Sequence, residues 1–304
     1  MLSRTRFLRP SLSPWLLALL GLGWGGFLGT PLALAGDPFR PTNPRAISDT
    51  TEALFLQMFR DGNYAQVRQS LAKALATDGD EPILQSLRAA LAYVDKDYGV
   101  MNQAAEATTA AAEKLMTRDP LRGNLYKGVG LFMEAGALAT QNKANLVLIA
   151  PQLLAQVNQA FKAFDAAAAI DPTDPEVNLI RGYVEMLLAV NVPFFNADQA
   201  INKLQRYAAP PYLMHRGLAL AYRDLKRPAE ALTQVDLALK AAPQNPELLY
   251  LKGQILAQQK NFTESVRYFD QALASANQLP NSLVSQIQRE RRQAERQGTT
   301  VGAN

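Results

Sequence analysis

The chain has 304 residues, enough for one large domain or two ordinary ones, and its 48% hydrophobic and 19% charged content excludes a disordered protein. It contains no cysteine, which excludes disulfides, thiolate metal sites and a cysteine nucleophile. Its net charge of +4 is carried largely by the first 35 residues, which hold Arg4, Arg6 and Arg9 and no acid. The remainder has 28 cations against 27 anions, too even a balance for the basic stripe that nucleic acid needs.

Residues 1–35 read as a signal peptide. The three arginines precede an apolar run from Trp15 to Leu28, and Ala33-Leu34-Ala35 before Gly36 has the small-x-small form of a signal-peptidase site. Gly21, Gly23, Gly25 and Gly26 interrupt the run, which is short for a membrane-spanning helix of about 20 apolar residues. A retained membrane anchor is the alternative. Residues 36–48 are rich in proline and are expected to be a flexible leader into the first helix.

From residue 49 the low aromatic share of 8% and the abundance of alanine favour helices packed through small side chains. Gly62-Asn63-Tyr64 has the look of a turn between two helices, with Leu71 and Ala74 following, and Tyr98 lies one period of 34 after Tyr64. Gly128 and Gly130 mark a later first helix, and Ala160, Phe164, Ala167 and Pro172 a second helix with its terminator. Between them an insertion is expected around Gln141 to Pro151. Pro175-Glu176 with Arg181-Gly182 recurs as Pro246-Glu247 with Lys252-Gly253. The loop Val192-Pro193-Phe194-Phe195 interrupts the unit that starts at Pro175, and its Pro193, Phe194 and Phe195 form a candidate docking loop or tuck back onto the stack.

The repeat is clearest near the C-terminus, where Tyr212–Asn245 and Pro246–Leu279 align without gaps at a period of 34. Ala219 pairs with Gly253, Tyr222 with Leu256, Ala231 with Ser265, Ala238 with Ala272 and Leu239 with Leu273. Small residues let two helix backbones approach, large ones fill the groove between them, and Pro243 and Pro246 punctuate the units. About six units are expected over residues 49–279, the clearest being 175–211, 212–245 and 246–279. A capping helix over 280–297 and a disordered tail over 298–304 would follow.

The run Ala219, Tyr222, Ala231, Val235, Ala238 and Pro243 resembles the tetratricopeptide-repeat family, and Gly253, Leu256, Ser265, Phe269 and Ala272 repeat the pattern with Asn277 in place of the terminal proline. The resemblance implies an all-α fold, a right-handed superhelical solenoid of antiparallel helix pairs with a concave groove for partner segments. It further implies that Tyr183, Met186, Arg216, Leu220, Arg223, Tyr250 and Gln254 face that groove. The clamp of Lys and Asn with which one class of the family grips a C-terminal carboxylate is absent: the matching positions read Leu179, Ile180 and Tyr183, then Arg216, Gly217 and Leu220, then Tyr250, Leu251 and Gln254. The Ala- and Gln-rich helices are also similar to those of exported cyanobacterial members.

Chemistry is hard to find in this chain. His215 is the sole histidine, without the companions that a metal site or a hydrolytic triad requires. Asp78, Asp80 and Glu81, and Asp171 with Asp174, fall in turns, where aspartate serves as a turn or capping residue. The expectation is therefore an exported scaffold or adaptor, with an assembly role as one form of it. It would have no catalytic residue, cofactor or metal, would bind other proteins, and would touch no membrane once its leader is removed. Its address would be a periplasm or, alternatively, a thylakoid lumen. An α-helical envelope enzyme with acidic catalytic residues and a membrane-tethered interaction protein are the rivals.

Overall fold

The computed structural model describes residues 36–191 and 197–301, and the leader and the Pro193-Phe194-Phe195 loop lie outside them. Among the described residues there are thirteen α-helices and no strand, arranged as a solenoid of helix pairs. The pairs are α1 (Asp49–Phe59) with α2 (Tyr64–Asp78), α3 (Pro82–Asp95) with α4 (Tyr98–Leu115), and α5 (Pro120–Gln141) with α6 (Leu146–Ile170). They continue with α7 (Pro175–Asn191) and α8 (Ala197–Tyr207), α9 (Pro211–Asp224) and α10 (Pro228–Ala241), and α11 (Pro246–Gln258) and α12 (Phe262–Leu273). A single helix, α13 (Asn281–Val301), closes the stack and carries the chain four residues into the stretch expected to be a disordered tail.

Local chemistry sets most of the boundaries. The first helices of the last five pairs open on proline, which has no N–H to leave unsatisfied, and three of them follow a capping acceptor: Glu81 before Pro82, Asp119 before Pro120, Asn245 before Pro246. Second helices open on Asn63, Asp97 and Asn261, whose side chains accept from the N–H three residues on. Between the two helices of a pair the backbone passes through a left-handed residue, at Gly62, Lys96, Lys226 and Lys260. Within a pair the close crossing falls at glycine. A Cβ on Gly253 would lie 2.6 Å from the Phe269 ring, and one on Gly128 would lie 2.5 Å from Phe164.

One region differs from its sequence expectation. Residues 36–48 are packed and do not form a flexible leader. Phe39 is buried edge-on against Phe55, with ring centroids 5.1 Å apart, and Arg40 is only 8% exposed. Three prolines gave this stretch the composition of a linker, but an aromatic and an arginine with distant partners hold it down. The insertion expected around Gln141 to Pro151 is present as added helix. It is helical apart from one 3-10 turn at Lys143–Asn145, so it lengthens α5 and α6 to 22 and 25 residues. Pro151 is tolerated because it is the sixth residue of α6 and interrupts the hydrogen-bond ladder only near its start.

The stack curves around its own N-terminus. Leu54, Phe55, Met58 and Phe59 make α1 one of the most buried helices of the chain. The turn after α1 meets the start of α11: Asn245 Nδ2 donates to the Phe59 and Arg60 carbonyls, both at 2.9 Å. Arg45 pairs with Asp119 at the head of α5 (2.8 Å), and Ser282 at the start of α13 donates to the Val94 carbonyl of α3. The strap of residues 36–48 and the first pair thus touch the heads of most later first helices.

Candidate functional site

The concave face is where the family resemblance puts a partner, and six of its seven expected residues are buried. The Tyr183 hydroxyl donates to the Leu213 carbonyl, and its ring lies over Gly217, where a Cβ would sit 2.7 Å away. Arg216 is 2% exposed, with Nη2 2.6 Å from Glu247 Oε2, a close ion pair set off the line of a good hydrogen bond. Met186 and Leu220 belong to the core cluster. Arg223 donates to Asp224 and to Gln254 Oε1 (2.7 Å each), and the half-buried Gln254 donates in turn to Tyr250 (2.7 Å) and to Glu290 of α13 (2.8 Å). The structure joins Arg223, Gln254 and Tyr250 into one network. The face is occupied by these internal contacts, with Tyr64 of the first pair reaching Glu247 beside Arg216.

What fills it is held by ions that sequence reasoning missed. Glu176, at the second residue of α7, receives Arg40 Nη2 at 3.0 Å and the Tyr126 hydroxyl at 2.7 Å, with Arg122 Nε at 3.5 Å. Arg40 also grips Asp174 with Nε at 3.0 Å and Nη2 at 2.6 Å, and Asp37 at 2.9 Å. Arg122 reaches on to Glu81 at 2.7 Å. Glu247, at the second residue of α11, repeats the scheme with Arg216 and the Tyr64 hydroxyl. Burial pushes the Glu176 carboxyl up, and Arg122 and Arg40 oppose it. Burial and then Glu176 push the Tyr126 phenol well up, as burial and Glu247 do for Tyr64. The signal for this network was the recurring Pro-Glu pair, whose glutamate sits at a helix head facing inward rather than in water.

These carboxylates bear on the enzyme alternative. Asp37, Asp174, Glu176 and Glu247 are buried together with the arginines that neutralise them, so a substrate would have to unseat the strap to reach them. His215 is half-buried and spends its Nδ1 on Gln234 Oε1 at 2.7 Å.

An open site lies on the outside of the first two pairs. A cavity of 320 Å³ between α2, α3 and the start of α4 is floored by Leu71, Leu75, Leu91 and Val100. Arg68 on its rim is tied to Asp95. Arg88 lines the same cavity half-buried, and among the described residues no carboxylate lies within ion-pair distance of it. A cavity this size takes one or two side chains, and its apolar floor beside Arg88, with Asp95 and Asp97 also on its lining, suits an apolar segment whose carboxylate meets Arg88.

Residues 196–246 and 216–280 match the family model described as tetratricopeptide repeat, an area that covers α8 to α12 and the residues that carried the resemblance. No curated protein and no solved structure matches the chain. Tetratricopeptide repeats generally bind other proteins and are generally not catalytic.

Proposed function

We propose that this chain is an exported scaffold that binds partner proteins through the outer cavity of its first two helix pairs and assists their assembly, in a periplasm or alternatively a thylakoid lumen. The observation that carries the reading is the combination of a filled concave face with an open cavity in which Arg88 lacks a carboxylate. The inward residues are spent on internal contacts, so recognition moves to the outside. The preferred occupant is a partner segment that places an apolar side chain over Leu75 and Leu91 and a carboxylate on Arg88.

Export is supported by the composition of residues 1–35 and by what lies at their end. Gly36 abuts the Glu52 side chain so closely that a Cβ would collide with the carboxylate. The Glu52 carboxyl is pushed up by its burial and by Asp49 and Asp37. Cleavage after Ala35 would leave a new α-ammonium beside it, an opposite charge that relieves the crowding of acids.

The test is capture of the tagged protein from its own host, cross-linked before lysis, alongside Arg88→Glu and Lys240→Ala variants. The reading expects a defined set of exported proteins that is lost with Arg88→Glu and kept with Lys240→Ala, on a chain whose first residue is Gly36. A partner set indifferent to Arg88 would remove the cavity from the account, and a retained leader would replace the exported scaffold with a tethered one.

A further inference from the structure

The helix pair α5–α6 outreaches its neighbours. α5 is eight residues longer than α3, and α6 is seven longer than α4. The heads of α3 and α5 stand level, since Arg122 at the start of α5 reaches Glu81 at the start of α3. The surplus therefore projects at the other end, by about 11 Å at 1.5 Å per residue. The projecting end is apolar and bare. Val147 is 92% exposed, Leu148 81% and Leu154 63%, and Leu146 beside them is also exposed. Only one other large hydrophobic residue in the described fold is so exposed, Ile170 at the far end of α6. Large side chains left this open on one protruding end are not the ordinary scatter of apolar surface.

Charge and size say what covers them. Between Glu134 and Asp165 the sequence has no acidic residue, while Lys143 and Lys162 lie within that span. Lys143 stands at the tip, with its ammonium 5.7 Å from the Tyr98 ring centre. The bare stretch from Leu146 to Leu154 is roughly 14 Å long and about 10 Å wide. That is far below the ~800 Å² per partner of a stable protein interface, which argues against a second copy. A lipid surface sets no such minimum: a small apolar wedge enters the headgroup layer of an anionic bilayer when a cation stands beside it, as Lys143 does here. No helix of the described residues is long and apolar enough to cross a membrane, so the contact is with the surface.

We infer that the α5–α6 tip docks on anionic lipid bilayers, seating Val147, Leu148 and Leu154 at the acyl boundary with Lys143 at the headgroups. This contact does not depend on the leader, and it departs from the expectation that the processed chain touches no membrane.

The test uses the chain from Gly36, whose buried core residues all lie between Phe39 and Ala294. Both tryptophans, Trp15 and Trp24, precede it, so a Leu148→Trp substitution supplies the single tryptophan. With mixed phosphatidylglycerol–phosphatidylcholine vesicles its emission should move to the blue and be quenched by brominated acyl chains, more weakly with phosphatidylcholine alone. Adding Val147→Glu should reduce vesicle binding roughly tenfold or more while leaving the circular dichroism melt unchanged. A Lys240→Trp reporter on α10 should not respond. An unchanged Leu148→Trp spectrum in both vesicle types would overturn the inference. So would an equal response at position 240, or a blue shift that grows with protein concentration without lipid, which would assign the tip to a second copy.

Discussion

At Lys96, Lys226 and Lys260 the backbone is left-handed, with φ near +60°, in the same turn position that glycine occupies at Gly62. A residue with a Cβ resists this conformation, and replacement by glycine removes that cost at a smaller cost in chain entropy. Lys260→Gly is therefore expected to raise stability by about 1 kcal/mol, read as a higher urea midpoint with an unchanged slope. The opposite holds at residue 62, where a Cβ would also lie 2.8 Å from the Pro246 ring. Gly62→Ala should lower stability by roughly 1–3 kcal/mol in the same titration. One turn position thus tolerates lysine in three pairs and demands glycine in the pair packed against the head of α11.

Among the elements, the strap of residues 36–48 has the largest effect for its length. Arg40 balances Asp37, Asp174 and Glu176 in a place closed to water. Arg40→Ala leaves those acids undercompensated and is expected to cost about 3–5 kcal/mol, against under about 0.5 kcal/mol for the exposed Lys240→Ala, by chemical unfolding. Helix pairs were legible in the sequence because their signals are local: small residues at a period of 34, prolines at helix heads, asparagine and aspartate as caps. The strap was not, since Asp37-Pro38-Phe39-Arg40 carries the proline of a linker and the acids at the head of α7 that hold Arg40 lie more than 130 residues away. Tyr183, Arg216 and Tyr250 were expected to face a groove, but whether such a position is accessible depends on what else occupies the interior. The insertion expected around Gln141 to Pro151 takes the form of longer helices, because Pro151 near the start of α6 does little harm there.

Over the whole molecule, buried tyrosines join elements, Tyr64 linking the first pair to Glu247 of α11 and Tyr126 linking α5 to Glu176 of α7. Tyr64, Tyr126, Tyr183, Tyr212 and Tyr250 come from α2, α5, α7, α9 and α11, and burial, the largest cause in each, raises their phenols above the ordinary value of 10. A phenol whose folded pKa is raised keeps its proton where the unfolded chain has lost it. Its contribution is intact below pH 10 and is lost as the pH climbs from there towards the folded value. Phenolate absorbance should therefore show these five titrating together with the loss of helical circular dichroism. Gradual titration of all ten tyrosines in a folded protein would show that the interior is open to solvent.

The measurement closest to the central claim, that the chain fills its own concave face, is amide hydrogen exchange on the chain from Gly36, resolved by peptide. The account predicts that α1, with the inward faces of α9 and α11, exchanges only at the rate of global unfolding, and that Arg40→Ala speeds exchange in α1 before it reaches α12. Exchange of α1 within seconds in the unaltered protein, with α9 and α11 still protected, would contradict it: the first pair would then be detached, and the concave face open to partners after all.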